Sequence, residues 1–285
     1  MESLNLIGCG RAASTLARLW AESGVLQVGD VLTRSSATAA AACVFVGQGR
    51  PVTEMGAMRP ARWWLLGVSD RSIVPAAQAL ADSGRLRPGD GVLHLSGFTP
   101  AAVLAPLAEQ GARIASVHPV MSFADPVLAI TRFAGTPCGI AGEASLVAEL
   151  RRLFAAIGGD CFELDDACKP LYPAGSVFAS NYLVVILDVA RKAWLDAGVP
   201  PEMAGRMLAA LSRGALDNVL ALGARAALTG PAARGDRDVV AAQQAAVAQW
   251  DAGSGEAYAA LAELAYRLAA EQHRGQEGGQ EDSAD

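Results

Sequence analysis

The feature that most constrains this chain is the stretch Leu4–Ala13, LNLIGCGRAA, in which an apolar run ends at two closely spaced glycines and continues into a helical pattern. Gly8, Gly10 and Ala13 occupy the three small-residue positions of G-x-G-x-x-G/A. The first position allows a tight turn, the second lets backbone approach a pyrophosphate, and the third lets the helix pack closely on the strand. The stretch therefore predicts a strand, a turn and a helix whose first amides face phosphate groups.

The residues after the second predicted strand distinguish between the two nicotinamide dinucleotides. Gln27–Thr33 is predicted to be that strand, and it ends where a Rossmann unit carries the group that contacts the adenine ribose. An Asp or Glu would bond the 2′-hydroxyl of NAD there, whereas this chain has Arg34 among hydroxyl side chains such as Ser35, which suit a 2′-phosphate. The pattern favours NADP, and the alternative is that Arg34 is an ordinary exposed arginine.

Strand and helix patterns alternate through the first part of the chain, with further strands predicted at residues 62–68, 91–95 and 113–117. This order predicts an α/β fold with a doubly wound, parallel Rossmann sheet that binds ligands outside the carboxyl ends of its strands. Two of those ends are followed by residues with suitable chemistry, Ser96 and His118. A hydroxyl and an imidazole can orient or accept the proton of a substrate hydroxyl. The alternatives are that Ser96 only shapes a turn and that His118 is a structural histidine.

No strand pattern appears after Pro173, and helices take over. Ala174–Ala197 is predicted to be one long helix that is apolar on nearly all sides, which predicts a buried central helix of an all-α domain. We therefore expect a dinucleotide-binding domain over residues 1–165, a helical substrate and dimerisation domain over 166–271, and a disordered, glycine-rich and acidic tail over 272–285.

Composition excludes several classes of protein. The 23 Lys and Arg residues are scattered along a chain of net charge -6, which is unlike a nucleic-acid-binding surface. Five cysteines without C-x-x-C spacing argue against a zinc site or a disulfide framework, so we expect no metal and a reducing cytoplasm. The sequence has no signal-peptide pattern and no uncharged apolar run of about 18 residues, so we expect a soluble protein that does not span a membrane.

Several motifs together resemble a known superfamily. They are GCGRAASTLARLW, HLSGFTPAAVL, SVHPVMSF, VFASNYLV and LTGPAARGD. With the domain order, they resemble the 6-phosphogluconate dehydrogenase and β-hydroxyacid dehydrogenase superfamily, which includes pyrroline-5-carboxylate reductase and prephenate dehydrogenase. Within it the chain is most similar to a family of Rossmann-like NADP oxidoreductases with a helical C-terminal domain, whose own reaction is not established. The resemblance extends to about Arg267 and implies NADP as cofactor and a homodimer built from the helical domains.

The resemblance also implies roles for particular residues. In prephenate dehydrogenases, a serine after a late strand and the histidine of a His-Pro motif contact the substrate hydroxyl, and Ser96 and His118 are similar in position. In β-hydroxyacid dehydrogenases the central helix carries Lys-x-x-x-Asn. Asn181 matches the asparagine, but Val177 stands in the place of the lysine. Lys169 lies earlier in the chain, ahead of Pro170, and we expect it to be solvated. The alternative is that it reaches the cleft from another direction.

The sequence thus predicts an NADP-dependent oxidoreductase that transfers a hydride between nicotinamide and a small-molecule substrate. The predicted catalytic residues are His118, Ser96 and Asn181. The predicted cofactor-binding residues are Gly8, Cys9, Gly10, Arg11, Ala12, Ala13, Arg34, Ser35 and Ser69. Because the expected lysine is missing, the alternative is a non-catalytic dinucleotide-binding sensor or assembly module.

Overall fold

The computed structural model describes residues 1–281 and divides the chain into two compact units, one ending at Phe178 and the other beginning at Ala179. This division lies later than the boundary expected near Asp165. The reason is that the intervening segment belongs to the first unit, where the side chains of Lys169 and Tyr172 bond to Ser116 and His118 of the sheet.

The first unit alternates strands and helices. Its strands are β1 Glu2–Ile7, β2 Leu26–Leu32, β3 Arg50–Val52, β4 Trp63–Leu66, β5 Gly91–His94, β6 Arg113–Pro119, β7 Pro137–Gly142 and β8 Asp160–Glu163. Its helices are α1 Arg11–Ser23, α2 Ser36–Val46, α3 Ile73–Asp82, α4 Ala105–Ala108, α5 Pro126–Arg132, α6 Ala144–Ala155 and α7 Tyr172–Ser176. Short 3₁₀ turns precede α3 and α4, at Asp70–Ser72 and Ala101–Leu104.

The eight strands form one sheet in the order β3-β2-β1-β4-β5-β6-β7-β8. All neighbouring strands are parallel except β6 and β7, which are antiparallel. The predicted α/β fold, a doubly wound Rossmann sheet followed by helices, is confirmed. The expectation of a fully parallel sheet is wrong at β7, because the short connection through α5 returns the chain along the opposite direction.

The core lies on both faces of this sheet, because successive strand residues point to opposite sides. In β4, Trp63 and Leu65 belong to a cluster that includes side chains of α1 and α6, whereas Trp64 and Leu66 belong to a second cluster that includes side chains of α3 and α4. All four residues are at most 1% exposed. A strand buried on both faces is typical of a parallel sheet covered by helices on each side.

The second unit is helical. A π-helical segment, Val177–Tyr182, leads into α8 Leu183–Asp196, which is followed by α9 Pro201–Ala227, α10 Pro231–Arg234, α11 Arg237–Trp250 and α12 Ala252–Glu281. Gly223 interrupts α9 with non-helical backbone angles, φ 79° and ψ 159°. α12 includes the first ten residues of the predicted disordered tail, 272–285, and the last four lie outside the described residues, so their disorder stays a prediction.

The prediction that the long apolar helix is buried is wrong for a single chain. No residue of α8 is buried, and Val184 and Val185 are 69% and 57% exposed. By length and composition alone, the stretch Tyr172–Asp196 could also cross a membrane. A helix that is apolar on all sides is expected to be packed against other protein surface, but its sequence does not indicate whether that surface belongs to the same chain or to another molecule.

Candidate functional site

The glycine turn after β1 has the geometry that its sequence predicts. Gly8 has φ +76°, a conformation that L side chains rarely adopt. A Cβ at this position would also lie 2.5 Å from Cγ1 of Val68 and 2.9 Å from the carbonyl oxygen of Gly67. The Gly8 amide donates to the carbonyl of Leu32 at 2.8 Å, which ties the turn to the end of β2. Only glycine fits both the backbone angle and the space.

Two further small residues bring the turn against β4. The amide of Gly10 donates to the carbonyl of Gly67 at 3.1 Å, and a Cβ on Gly67 would lie 2.4 Å from Cβ of Ala13. The Gly10 amide is thus used within the fold. The amides of Arg11 and Ala12 open α1 and have no acceptor within the helix, and no side chain caps this helix at Gly10. Unpaired amides at the start of a helix can bind an anion.

A cleft of about 940 Å³ opens over this turn. Among the described residues that line it are two arginines, Arg34 and Arg71, and no aspartate or glutamate. Gly8, Cys9, Gly10, Arg34, Ser35 and Ser69 line the cleft together, so the structure brings these predicted cofactor-binding residues into one place. The other three, Arg11, Ala12 and Ala13, are not among the described residues that line it. A cleft with this balance of charge suits a ligand that carries several negative charges.

Hydroxyl groups surround Arg34 at the start of α2. Ser35 caps this helix, with its Oγ accepting from the Thr38 amide at 3.1 Å and lying 2.8 Å from Oγ1 of Thr38. The Thr33 hydroxyl donates to the carbonyl of Ser35 at 2.8 Å. The segment after β2 is therefore held in a fixed turn, from which the exposed side chain of Arg34 extends.

Cys9 contributes backbone rather than reactive sulfur. Its side chain packs against the core cluster that includes α1 residues, and burial, with a smaller contribution from Cys43, raises the pKa of Cys9 to about 12. A thiol with that pKa stays protonated at neutral pH and is neither a nucleophile nor a metal ligand. Among the residues that the structure describes, no group of three or more His, Cys, Asp and Glu side chains could hold a metal ion.

A second group of polar residues lies after β5 and β6. Ser96 is 7% exposed, and its Oγ donates to Oδ2 of Asp70 at 2.9 Å. The same oxygen accepts from the amides of Phe98 at 3.2 Å and Thr99 at 2.9 Å. The hydroxyl thus has three partners within the protein, and it holds the loop after β5 in place.

His94 supports the same loop from inside β5. Its side chain is fully buried; Nδ1 accepts from the Ser96 amide at 3.2 Å, and Nε2 lies 3.4 Å from the carbonyl of Pro100. These contacts assign the proton to Nε2, because a carbonyl can only accept. Burial, together with the charge of Lys169, lowers the pKa of His94 to about 4, so the ring is neutral at pH 7. His94 is therefore a structural residue of the core.

His118 pairs with Tyr172 at the end of β6. Nδ1 of His118 lies 3.1 Å from the Tyr172 hydroxyl, and the two rings meet edge to face with centroids 5.5 Å apart. A Cβ on Gly97 would lie 2.9 Å from the same nitrogen, so only glycine allows the loop to lie against the ring. Burial and the charge of Lys169 lower the pKa of His118, and the Asp70 carboxylate opposes this shift. Burial also raises the pKa of Tyr172.

The expectation that Lys169 is solvated is wrong. Its side chain is 2% exposed, and Nζ lies 2.7 Å from Oγ of Ser116, 3.0 Å from the carbonyl of Thr99 and 3.4 Å from the carbonyl of Ser96. Burial lowers the pKa of this lysine, whereas Asp166 and Asp70 raise it. The short segment after β8 crosses the ends of β5 and β6, and this path inserts the lysine beneath the loop.

Asn181 is placed differently from the other predicted catalytic residues. It lies in the second unit, within the π-helical segment, where its side chain is exposed and Oδ1 accepts from the Ser180 hydroxyl at 2.8 Å. Its predicted part in substrate binding stays a prediction.

Sequence reasoning missed the main partners of His118 and Ser96. The carboxylate of Asp70 accepts from Ser96 across 26 positions of sequence. The contact of Tyr172 with His118 spans 54 positions. No local pattern marks such pairs, because they depend on the order of strands in the sheet. The position of Asp70 after β4, beside β5, is the one available signal.

Comparison with known proteins agrees with this architecture. The model of a Rossmann-like domain matches residues 2–119, and the model of a domain of unknown function, DUF2520, matches residues 136–265. No curated protein matches the chain. The resemblance to Rossmann-like proteins with a helical C-terminal domain is thereby confirmed.

Solved structures with the same fold cover nearly the whole chain. Protein TM1727 from Thermotoga maritima is 25% identical, with a TM-score of 0.71 over 95% of this chain and 99% of that one. A Bacteroides fragilis protein provisionally named an NADP oxidoreductase, BF3122, is 19% identical, with a TM-score of 0.74 over 93% and 98%. Pyrroline carboxylate reductase from Plasmodium falciparum, solved with NADP bound, is 12% identical, with a TM-score of 0.56 over 94% and 98%. At these identities the last two show a shared fold.

Proposed function

We propose that this chain, in which a Rossmann-like domain is followed by a DUF2520 domain, is an NADP-dependent oxidoreductase acting on a small-molecule substrate. The observation that carries the proposal is the cleft over Gly8 and Gly10, which has two arginines and no carboxylate among the described residues that line it. An NAD-specific site would carry an acidic residue at the end of β2 for the ribose hydroxyls. The names of the NADP-linked fold neighbours agree with this proposal.

The residues of this chain divide the work of binding the cofactor. The amides of Arg11 and Ala12 bind the pyrophosphate at the positive end of α1. Arg34, with Ser35 beside it, binds the 2′-phosphate through charge-assisted hydrogen bonds. When bound, the nicotinamide supplies or accepts the hydride. Ser69, which also lines the cleft, contributes a hydroxyl to cofactor binding.

His118 is the proposed proton-transfer residue. It is half-buried, and its lowered pKa makes it a neutral imidazole at pH 7, which has one donor and one acceptor nitrogen. Since Nδ1 faces Tyr172, Nε2 is the nitrogen left to face a substrate oxygen or nitrogen. Ser96 acts by holding the adjoining loop rather than by exchanging a proton. Asn181 is proposed as a substrate-binding residue on its match to the Lys-x-x-x-Asn pattern.

Titration of intrinsic fluorescence with NADPH and NADH tests the cofactor assignment. The unchanged protein should bind NADPH more tightly, and Arg34→Ala should weaken NADPH binding roughly 10- to 100-fold with little effect on NADH, because a hydrogen bond to a charged group is worth about 1.5–3 kcal/mol. Arg132→Ala removes an exposed arginine of α5 outside the cleft and serves as the control. An Arg34→Ala protein that keeps its preference would show that this assignment is wrong.

A second candidate function is a dinucleotide-binding sensor without catalysis, which the valine at position 177 favours. Absorbance at the nicotinamide band during a substrate screen separates the two. Turnover that falls in His118→Ala supports the oxidoreductase, whereas NADPH binding without turnover of any carbonyl, imine or hydroxyl substrate supports the sensor.

We also propose that the protein is a cytoplasmic homodimer that buries α8. Leu183, Val184, Val185 and Ile186 are between 40% and 69% exposed on the single chain. Apolar surface of this kind on a soluble protein marks an interface. A second copy is the occupant that the family resemblance implies, with no nucleic acid or membrane as partner.

A further inference from the structure

The ammonium group of Lys169 is fully engaged within the first unit. An ammonium group has three protons to donate, and three oxygens surround it: the carbonyls of Ser96 and Thr99 and the hydroxyl of Ser116. Two of these oxygens belong to the loop after β5 and one to β6. With 2% exposure, the lysine has no free proton and no route to a substrate. It acts on the site through position and charge.

The charge of Lys169 is only partly balanced. Oδ1 of Asp166 is 3.8 Å away, and that carboxylate also accepts from the Ala101 amide at 3.1 Å. The other titratable groups facing this site are Asp70 behind Ser96, the rings of His94 and His118, and Tyr172. A cation inside protein acts on neighbouring groups more strongly than one in water, because the medium between them is less polarisable.

We propose that Lys169 is an electrostatic positioning residue of the reaction centre: its ammonium joins the loop after β5 to β6 and places a positive charge beside Ser116, on the face of β6 that also carries His118. The first part follows from the three oxygen contacts and from the burial of the lysine. The second follows from its contact with Ser116, which lies two residues before His118 in β6 and therefore points to the same side of the sheet. This inference adds a residue to the proposed function. Only the effect of Lys169 on turnover rests on that function. The proposed role of Lys169 is positioning, which differs from the role of the family lysine whose place is taken here by Val177.

Removing the charge of Asp70 should shift the pKa of His118 in the direction opposite to that caused by removing the charge of Lys169. Its carboxylate favours the charged form of His118, whereas Lys169 favours the neutral form. If the charges decide the state of the ring, Lys169→Met should raise the pKa of His118 and Asp70→Asn should lower it. If both substitutions only loosened the packing, water would enter and both pKa values would rise towards the ordinary value. The two directions thus separate an electrostatic role from a structural one.

The experiment is a titration of the histidine ring signals by nuclear magnetic resonance in the full chain. The chain has three histidines, so the His118 signal can be assigned with a His118→Ala variant. We expect an upward shift of the His118 midpoint in Lys169→Met, a downward shift in Asp70→Asn, and little change in Ser116→Ala, which removes one contact but keeps the ammonium.

Three results would overturn the inference: an unchanged midpoint in Lys169→Met, an upward shift in Asp70→Asn, or a shift in Ser116→Ala as large as that in Lys169→Met. Should Lys169→Met not fold, as judged by circular dichroism, the same titration in Lys169→Gln decides, because glutamine also lacks the charge but can still donate two hydrogen bonds to the surrounding oxygens. The titration uses neither NADPH nor substrate. A chain that shows the shifts but does not bind NADPH would contradict the proposed function and leave the role of Lys169 standing.

Discussion

At the scale of single residues, two histidines of one cluster have different tasks because they differ in burial. His94 is fully buried with a partner on each ring nitrogen, whereas His118 is half-buried with Tyr172 at one nitrogen. Nδ1 of His94 accepts a hydrogen bond from the Ser96 amide. If Nδ1 were protonated, two N–H groups would face each other and this hydrogen bond would be lost. The loop that carries Ser96 therefore depends on a neutral His94, while His118 retains a nitrogen for chemistry.

His94 should make the first unit less stable in mild acid. Its pKa is about 4 in the folded chain and about 6.5 when unfolded, so the unfolded state binds the proton first as the pH falls. The contribution is complete above pH 6.5 and decreases as the pH falls towards 4. Between pH 7 and pH 5 we expect a loss of about 2 kcal/mol in the free energy of unfolding.

Urea unfolding at several pH values, followed by tryptophan fluorescence, measures this loss. In His94→Gln, the amide can still accept from Ser96 and donate to Pro100 without titrating, so the decrease should be smaller by about the same 2 kcal/mol. Equal acid sensitivity in both proteins would remove His94 as the cause.

At the scale of elements, the turn between β1 and α1 is joined to β4 through Gly67. A methyl group at Gly67 would meet Cβ of Ala13 at 2.4 Å and the carbonyl of Gly8 at 2.8 Å. We expect Gly67→Ala to displace the start of α1, destabilise the chain by about 1–3 kcal/mol and weaken NADPH binding.

Thermal unfolding and NADPH titration measure the two effects of Gly67→Ala. Gly56→Ala is the matched control, because a methyl group there meets no atom within 4 Å. If Gly67→Ala were as stable as that control and bound NADPH normally, the close approach of α1 to β4 would not be required.

The elements that sequence reasoning predicted are those with local signals. β1, β4 and β5 each bury consecutive apolar residues, β2 and β6 bury apolar residues at intervals, and the glycine turn has its own pattern. The strand β3 has only three residues, one of them Pro51, so it is too short to show the alternation of apolar and polar residues that marks a strand. The direction of β7 and the burial of Lys169 follow from the path of the chain across the sheet, which neighbouring residues do not encode.

At the scale of the whole molecule, the second unit exposes an apolar helix that a single chain does not cover. We expect the protein to be a dimer in solution, because burying several valine and leucine side chains is favourable by about 25 cal/mol for each Å² removed from water. Val184→Lys would place a charge within that interface and should shift the protein towards monomer.

Light scattering after size exclusion, over a range of protein concentrations, measures this change. Val44→Lys, on the exposed face of α2 in the first unit, is the control, since Val44 is 82% exposed and Val184 is 69% exposed. A monomeric unchanged protein, or a Val184→Lys dimer as stable as the control, would contradict the assignment of this helix to the interface.

The 3₁₀ turn Asp70–Ser72 serves two parts of the first unit at once. Arg71 and Ser72 line the cleft. Asp70, the first residue of the turn, accepts a hydrogen bond from Ser96 and so holds the loop that lies against His118. A dinucleotide that presses on this turn also acts on the loop, and by thermodynamic reciprocity a molecule held by the loop changes the affinity for the dinucleotide by the same factor. Such a connection makes the binding of the two reactants interdependent, whichever of them enters first.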